Sequence, residues 1–125
     1  MSGWTPAELD RVHAADELRL ESRRPDGTLR PAVTIWAVRL GHDVYVRSAH
    51  GPENGWFRRA VAAGTGRVAV GGIEKDVRFV VPDDDVHDAL DAAYHAAYDR
   101  YGPGIVGSVV GPVPAGATLR LDPLG

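Results

Sequence analysis

Short alternating segments separated by glycine-bearing turns constrain this chain more than any other feature. Leu18–Ser22 alternates at period two, Pro25-Asp26-Gly27 is a turn, and Leu29–Leu40 alternates again. Gly41-His42-Asp43 turns into Val44–Ser48. Strands joined this tightly can pair only antiparallel, because a parallel crossover needs a dozen or more residues. A second hairpin, Arg67–Val70 with Lys75–Val81, turns at Gly71-Gly72-Ile73-Glu74 and stops at Pro82, and Thr118–Leu121 reads as a last strand. Six strands are therefore expected. The turns also argue against a dinucleotide-binding α/β unit, since Gly71-Gly72 does not complete a GxGxxG leading into a helix.

Three segments switch to helical spacing. Thr5-Pro6-Ala7-Glu8 is a capping box, with Trp4 and Leu9 at the positions of a hydrophobic staple, so a helix is predicted from about Pro6 to Asp16. Leu9, Val12 and His13 fall on one side of it, which would cover one end of a barrel. After a loop at Ala49–Asn54, Gly55–Ala63 suits a short helix that Gly64–Gly66 would end. Asp83-Asp84-Asp85 introduces a third, because carboxylates favour a helix start and Val86, Leu90, Ala93, Tyr94, Ala97, Tyr98 and Tyr101 recur at helical spacing. Gly102-Pro103-Gly104 would stop it, and the Gly- and Pro-rich stretch to Gly116 reads as loop around an apolar run at Ile105–Val110. The predicted class is α+β, an antiparallel sheet with flanking helices, in one domain over residues 1–125.

Composition excludes several chemistries. The 125 residues contain no cysteine, so thiolate catalysis, disulfides and cysteine-ligated metals are out. His13, His42, His50, His87 and His95 show no compact metal-ligand spacing, and His87 and His95 are expected on a solvated helix face. No metal site is expected. Asp83-Asp84-Asp85 lacks the glycine and glutamate of a calcium loop. Ser48 and His50 are two apart with no Gly-x-Ser-x-Gly elbow, which is not a triad signature. The start lacks a basic segment followed by an apolar run, and no stretch approaches the roughly 20 apolar residues of a membrane span, so a soluble cytoplasmic protein is expected.

The formal charge of −3 is distributed unevenly: residues 39–78 carry seven basic against four acidic side chains, while the last 47 carry two against seven. Such a balance argues against general nucleic-acid binding but leaves a basic centre for a small anion. Thirteen arginines against one lysine fit codon bias as well as phosphate recognition.

Within the basic centre, Arg47–Arg59 is the segment best suited to a phosphate. A strand ends in Arg47-Ser48, a loop follows, and a helix then carries Trp56-Phe57-Arg58-Arg59. Backbone N–H groups at the helix start, the Ser48 hydroxyl and Arg58 or Arg59 could take anionic oxygens while Trp56 covers an aromatic ring. The competing interpretation places Trp56 and Phe57 in the core and both arginines in solvent. On the preceding strand, Arg30, Ala32, Thr34, Trp36 and Val38 share one face, a groove or a dimer surface, while Pro31, Val33, Ile35 and Ala37 form the apolar face.

This order of elements resembles the FMN-binding split barrel of the pyridoxamine-phosphate-oxidase-like superfamily, with its deazaflavin-dependent nitroreductase relatives, and within it a small uncharacterised bacterial family. The matching stretches are Leu18–Gly27, Arg30–Trp36, Val44–Ser48 with Gly51, Trp56-Phe57-Arg58, Val70-Gly71-Gly72 and Thr118–Leu121. The resemblance implies a six-stranded antiparallel split β-barrel and a homodimer with sites at its interface. It also implies a cofactor, FMN or a deazaflavin of the F420 type, whose redox chemistry would transfer hydride to a small-molecule acceptor. Carried over by position, it implicates Arg30, Thr34, Trp36, Arg47, Ser48, Trp56, Arg58 and Arg59 as cofactor-binding, with no residue standing out as acid or base. Where many flavin binders add Lys, Arg or Ser to the loop, this chain has Pro52-Glu53-Asn54. That departure motivates the alternative, a cofactor-free split-barrel homodimer serving as a small-ligand-binding or interaction module.

Overall fold

The computed structural model describes residues 4–15, 17–48, 55–98 and 117–124. In chain order the elements are α1 (Pro6–Ala14), β1 (Leu18–Ser22), β2 (Val33–Ile35), β3 (Ala37–Leu40), β4 (Asp43–Arg47), α2 (Gly55–Ala63), β5 (Thr65–Val70), β6 (Ile73–Val80), α3 (His87–Tyr98) and β7 (Thr118–Pro123). One 3-10 turn, Asp84–Val86, leads into α3. Among the described residues no helix is long and apolar enough to cross a membrane.

Among the described residues seven strands form a single antiparallel sheet in the order β2-β1-β5-β6-β7-β4-β3. Its two ends, β2 and β3, are separated along the chain only by Trp36, so the sheet curls round until its edges meet in one bent segment. The strand predicted over Leu29–Leu40 is therefore two: β2 pairs with β1 (Leu20↔Val33) and β3 with β4 (Ala37↔Val46). This division gives seven strands where the alternation suggested six. A segment serving both ends of a curled sheet must turn a corner, and α3 props that corner from outside. The Trp36 ring stacks on Tyr98 at 4.1 Å between centroids and 2° between planes. Tyr98 Oη donates to the Ala37 carbonyl at 2.8 Å.

Two apolar clusters follow from this curvature. Inside the barrel, Leu18, Leu20, Val44, Val46, Leu119 and Leu121 meet Leu9 and Val12 of α1 and Trp56, Phe57 and Ala60 of α2. Outside it, Val38 and Tyr45 pack against Leu90, Tyr94 and Tyr98 of α3. The face expected to be a groove or dimer surface is thus covered at Trp36 and Val38 by α3. Strand β4 is covered on both sides, which explains why Val44-Tyr45-Val46-Arg47 is buried without alternation.

The turns follow their sequences. Gly71 and Gly72, with φ of +56° and +83°, make the two-residue connection between Val70 and Ile73 that both strands require. The capping box of α1 forms as written: the Thr5 hydroxyl accepts from the Glu8 N–H at 3.2 Å and Glu8 Oε1 accepts from the Thr5 N–H at 2.8 Å. Trp4 and Leu9 are buried beside it, but His13 is exposed rather than on the apolar side. Gly64 closes α2 at φ +75°, whereas Thr65 and Gly66 already belong to β5. A Cβ at Gly66 would stand 2.2 Å from the Glu21 carbonyl oxygen and 2.7 Å from the Phe79 ring. Glycine there lets β1 and β5 close over Phe79.

Candidate functional site

The tip of the β1–β2 hairpin is built to hold two arginines. Gly27, at φ +88°, completes a turn in which Arg24 N–H donates to Thr28 O at 2.8 Å and Gly27 N–H to Arg24 O at 2.9 Å. Asp26 Oδ1 accepts from the Thr28 hydroxyl at 2.6 Å and the Thr28 N–H at 3.0 Å, and these bonds hold its carboxyl below the usual range. Arg23 donates to Gly27 O at 2.9 Å and to Asp76 Oδ1 at 3.1 Å. Arg24 Nη1 donates to Leu29 O at 3.1 Å.

Helix α2 faces this hairpin. Its amphipathic spacing sends Trp56, Phe57 and Ala60 into the barrel and leaves Arg58 and Arg59 on the outer side. Between the two elements lies an open cleft of about 670 Å³, lined by Arg23, Arg24, Arg30, Arg58 and Arg59 together with Gly55 and Thr65. Among the described residues no acidic side chain lines it. Arg30 Nε is buried with no hydrogen-bond partner among the described residues. Nor does Arg58 or Arg59 form an ion pair among them. A buried donor on a charged group left unbonded costs roughly 1–3 kcal/mol or more, so this cluster is poised for an anion that supplies the missing acceptors. The first turn of α2 adds the positive end of the helix dipole.

The eight residues singled out from sequence separate into two groups. Arg30, Arg58 and Arg59 meet in the cleft; Thr34, Trp36, Arg47, Ser48 and Trp56 are not among its lining. Thr34 is exposed on β2 opposite Arg19. Trp36 is the stacked corner residue, and Trp56 is buried in an edge-to-face contact with Phe57 at 6.0 Å. Ser48 is fully buried, its N–H donating to Ala117 O at 3.0 Å and its hydroxyl without a partner among the described residues.

Arg47 is fully buried and committed to the interior. Its Nε donates to Thr118 Oγ1 at 3.0 Å, Nη1 donates to Asp91, and Nη2 lies 3.2 Å from His87 Nδ1. The guanidinium sits 5.5 Å from the Tyr94 ring centroid. Burial pushes the Tyr94 phenol far above its ordinary pKa. His87 is therefore half-buried against Arg47 rather than on a solvated face; His95 is exposed. The loop Ala49–Asn54, including His50 and Glu53, and the stretch Gly102–Gly116 lie outside the described residues.

Sequence reasoning missed Arg23 and Arg24. The available signal was an Arg-Arg pair beside the Pro25-Asp26-Gly27 turn, which places both at a hairpin tip. Which element that tip would face was not encoded locally.

An antiparallel sheet curled nearly into a closed barrel with flanking helices defines the split-barrel class. The chain belongs to the DUF2255 family, uncharacterized protein conserved in bacteria, whose model matches residues 8–121. No curated protein matches the sequence. Among solved structures, a candidate pyridoxamine 5′-phosphate oxidase from Listeria innocua is similar at TM-score 0.60 and 13% identity, over 93% of this chain and 88% of that one. The FAD and heme binding protein from Mycobacterium smegmatis is similar at TM-score 0.54 and 20% identity, over 99% of this chain and 68% of that one. A conserved hypothetical protein from Mycobacterium tuberculosis follows at TM-score 0.53 and 13% identity, over 97% and 80%. At these identities the likeness is one of fold.

Proposed function

We propose that this protein binds a phosphate-bearing flavin-type cofactor, FMN or a deazaflavin, with the phosphate in the arginine cleft. The observation that carries this reading is the convergence of Arg30, Arg58 and Arg59 on a cavity with no acidic lining among the described residues. Two proteins of the same fold support it by their descriptions, one as a candidate oxidase of a phosphorylated amine and one as an FAD binder. The Arg30 Nε, without a partner among the described residues, fits a phosphate oxygen, which offers it an acceptor.

In this reading Arg58 and Arg59 bind and orient the phosphate, Arg30 anchors it from the barrel side, and the hairpin arginines close the other side. The bound group would supply the hydride chemistry, directed to a small acceptor; the chain's own part is to bind, orient and exclude water. The cleft is open, and a second copy of the chain closing it would shield the ring, so the working form is a homodimer.

A second reading is favoured by one specific observation. Arg47 and Trp56, both suited to a cofactor by position, are taken up by the interior. A cofactor-free homodimer that binds a small anion would use the same cleft. Titration with FMN and a deazaflavin, followed by fluorescence, separates the two. Saturable binding that weakens about tenfold or more in Arg58→Ala/Arg59→Ala, at unchanged melting temperature, is expected for charge-assisted bonds. Refusal of both cofactors by protein that still binds inorganic phosphate would leave the second reading.

A further inference from the structure

The arginines of the cleft differ in how they are held. Arg30, Arg58 and Arg59 lack acidic partners among the described residues, and Arg30 has a buried donor to satisfy. Arg23 and Arg24 are fixed on the hairpin by the carbonyls of Gly27 and Leu29, and Asp76 already balances Arg23. Asp76 also accepts from Arg67 at 3.1 Å, so its charge is shared. Arg24 donates only through Nη1, leaving its Nε and Nη2 donors without partners among the described residues.

Counting donors against acceptors shows why one phosphate is too little. A guanidinium presents its donors as a fork that engages two oxygens, and a phosphate monoester offers three terminal oxygens. Three forks bring six donors to three oxygens, two for each, so the arginines on the barrel and helix side can hold such a group by themselves. The hairpin pair would then face the same ligand with nothing to bind. The cavity of about 670 Å³ is also far larger than one phosphate needs.

We infer that the cleft contains two adjacent phosphoryl subsites and takes a diphosphate. One phosphoryl group is held by Arg30, Arg58 and Arg59 and the other by the hairpin through Arg24, with Arg23 behind it. This rests on the reading of the cleft as a phosphate site given above and narrows its ligand class: a monophosphate such as FMN fills one subsite, and a nucleotide linked through a diphosphate fills both. Holding Arg24 by the Leu29 carbonyl and the Thr28 hydroxyl pre-orders the second subsite, which reduces the conformational entropy lost on binding.

Calorimetric titration of the full chain with inorganic phosphate and with pyrophosphate at 0.15 M ionic strength (roughly an 8 Å Debye length) tests this. Pyrophosphate is expected to bind about tenfold or more tightly than phosphate. Arg24→Ala should remove most of that advantage and weaken phosphate far less than pyrophosphate, whereas Arg58→Ala should weaken both. Arg24 is exposed, and a melting curve of the variant confirms that its fold is intact. Equal affinities in the wild-type chain, or equal weakening of both anions by Arg24→Ala, would overturn the two-subsite arrangement. A flavin titration run in parallel keeps the outcomes apart. Arg58-dependent FMN binding without a pyrophosphate advantage sinks only the diphosphate inference; an Arg24-dependent advantage without flavin binding sinks only the flavin reading.

Discussion

The guanidinium of Arg59 folds back over Gly55, the first residue of its own helix, and takes the space a side chain there would need: Nη1 would stand 2.8 Å from a Cβ at position 55. The absent side chain is what lets a cation rest beside the positive end of α2. Like charges are thereby concentrated where an anion would relieve them.

Gly55→Ala is therefore expected to displace Arg59 rather than the backbone. Stability should not fall, since alanine is favoured over glycine in a helix by up to about 1 kcal/mol and the obstructing atoms belong to the end of a flexible side chain. Phosphate affinity should drop several-fold. Thermal melting and phosphate titration on the same preparation check both halves.

Arg47 behaves differently. It is a strut between β4 and α3, so replacing it with methionine removes the guanidinium that Asp91 and Thr118 bond in the polar network. Breaking one partner of a buried pair costs about 3–5 kcal/mol, less here because Asp91 keeps partial solvent access, with 31% of its side chain exposed. Denaturant unfolding should show a loss of about 2–4 kcal/mol, while the folded fraction keeps its phosphate affinity. Lost affinity without lost stability would return Arg47 to the ligand site.

At the barrel corner, Tyr98→Phe removes the hydroxyl bonded to the Ala37 carbonyl and keeps the ring stacked on Trp36. A buried carbonyl left unsatisfied costs roughly 1–3 kcal/mol. Chemical denaturation should report a loss in that range with unchanged slope.

The Glu8 carboxyl is bound by Lys75 at 2.8 Å and by the Thr5 N–H. Burial works to raise its pKa, but the bonds to Lys75 and Thr5 outweigh burial and hold it below its ordinary value of 4.5. A depressed carboxyl stabilises the fold above its unfolded-state pKa, and that contribution is lost as pH falls through the folded-state value. Glu8→Gln should therefore be less stable than wild type by about 0.5–1 kcal/mol near neutrality, and the gap should narrow as pH falls below the ordinary value of 4.5 and through the lower folded-state value.

Much of this fold was legible because its signals are local. The Thr5–Glu8 box, the Gly71-Gly72 turn and the two apolar helix faces each need only a few neighbouring residues. The corner at Trp36 was not, because alternation continues through it; only closure of the sheet, which makes Ile35 and Ala37 serve different neighbours, breaks the strand. The site shows the same division. Arg58 and Arg59 follow from the helix pattern, but Arg47 is claimed by Asp91, 44 positions away, and nothing near Arg47 announces that partner. Arg23 and Arg24 enter the cleft only because β1 pairs with β5, bringing the hairpin tip in front of α2.

The most direct measurement compares FMN with riboflavin, which differ only in the phosphate, on the wild-type chain and on Arg58→Ala/Arg59→Ala. Wild-type protein is expected to prefer FMN by about tenfold or more, and the double variant to lose most of that preference, keeping only what Arg30 and the hairpin arginines supply. Equal affinity of the wild-type chain for FMN and riboflavin, or a preference for FMN undiminished in the variant, would contradict a phosphate site in the arginine cleft.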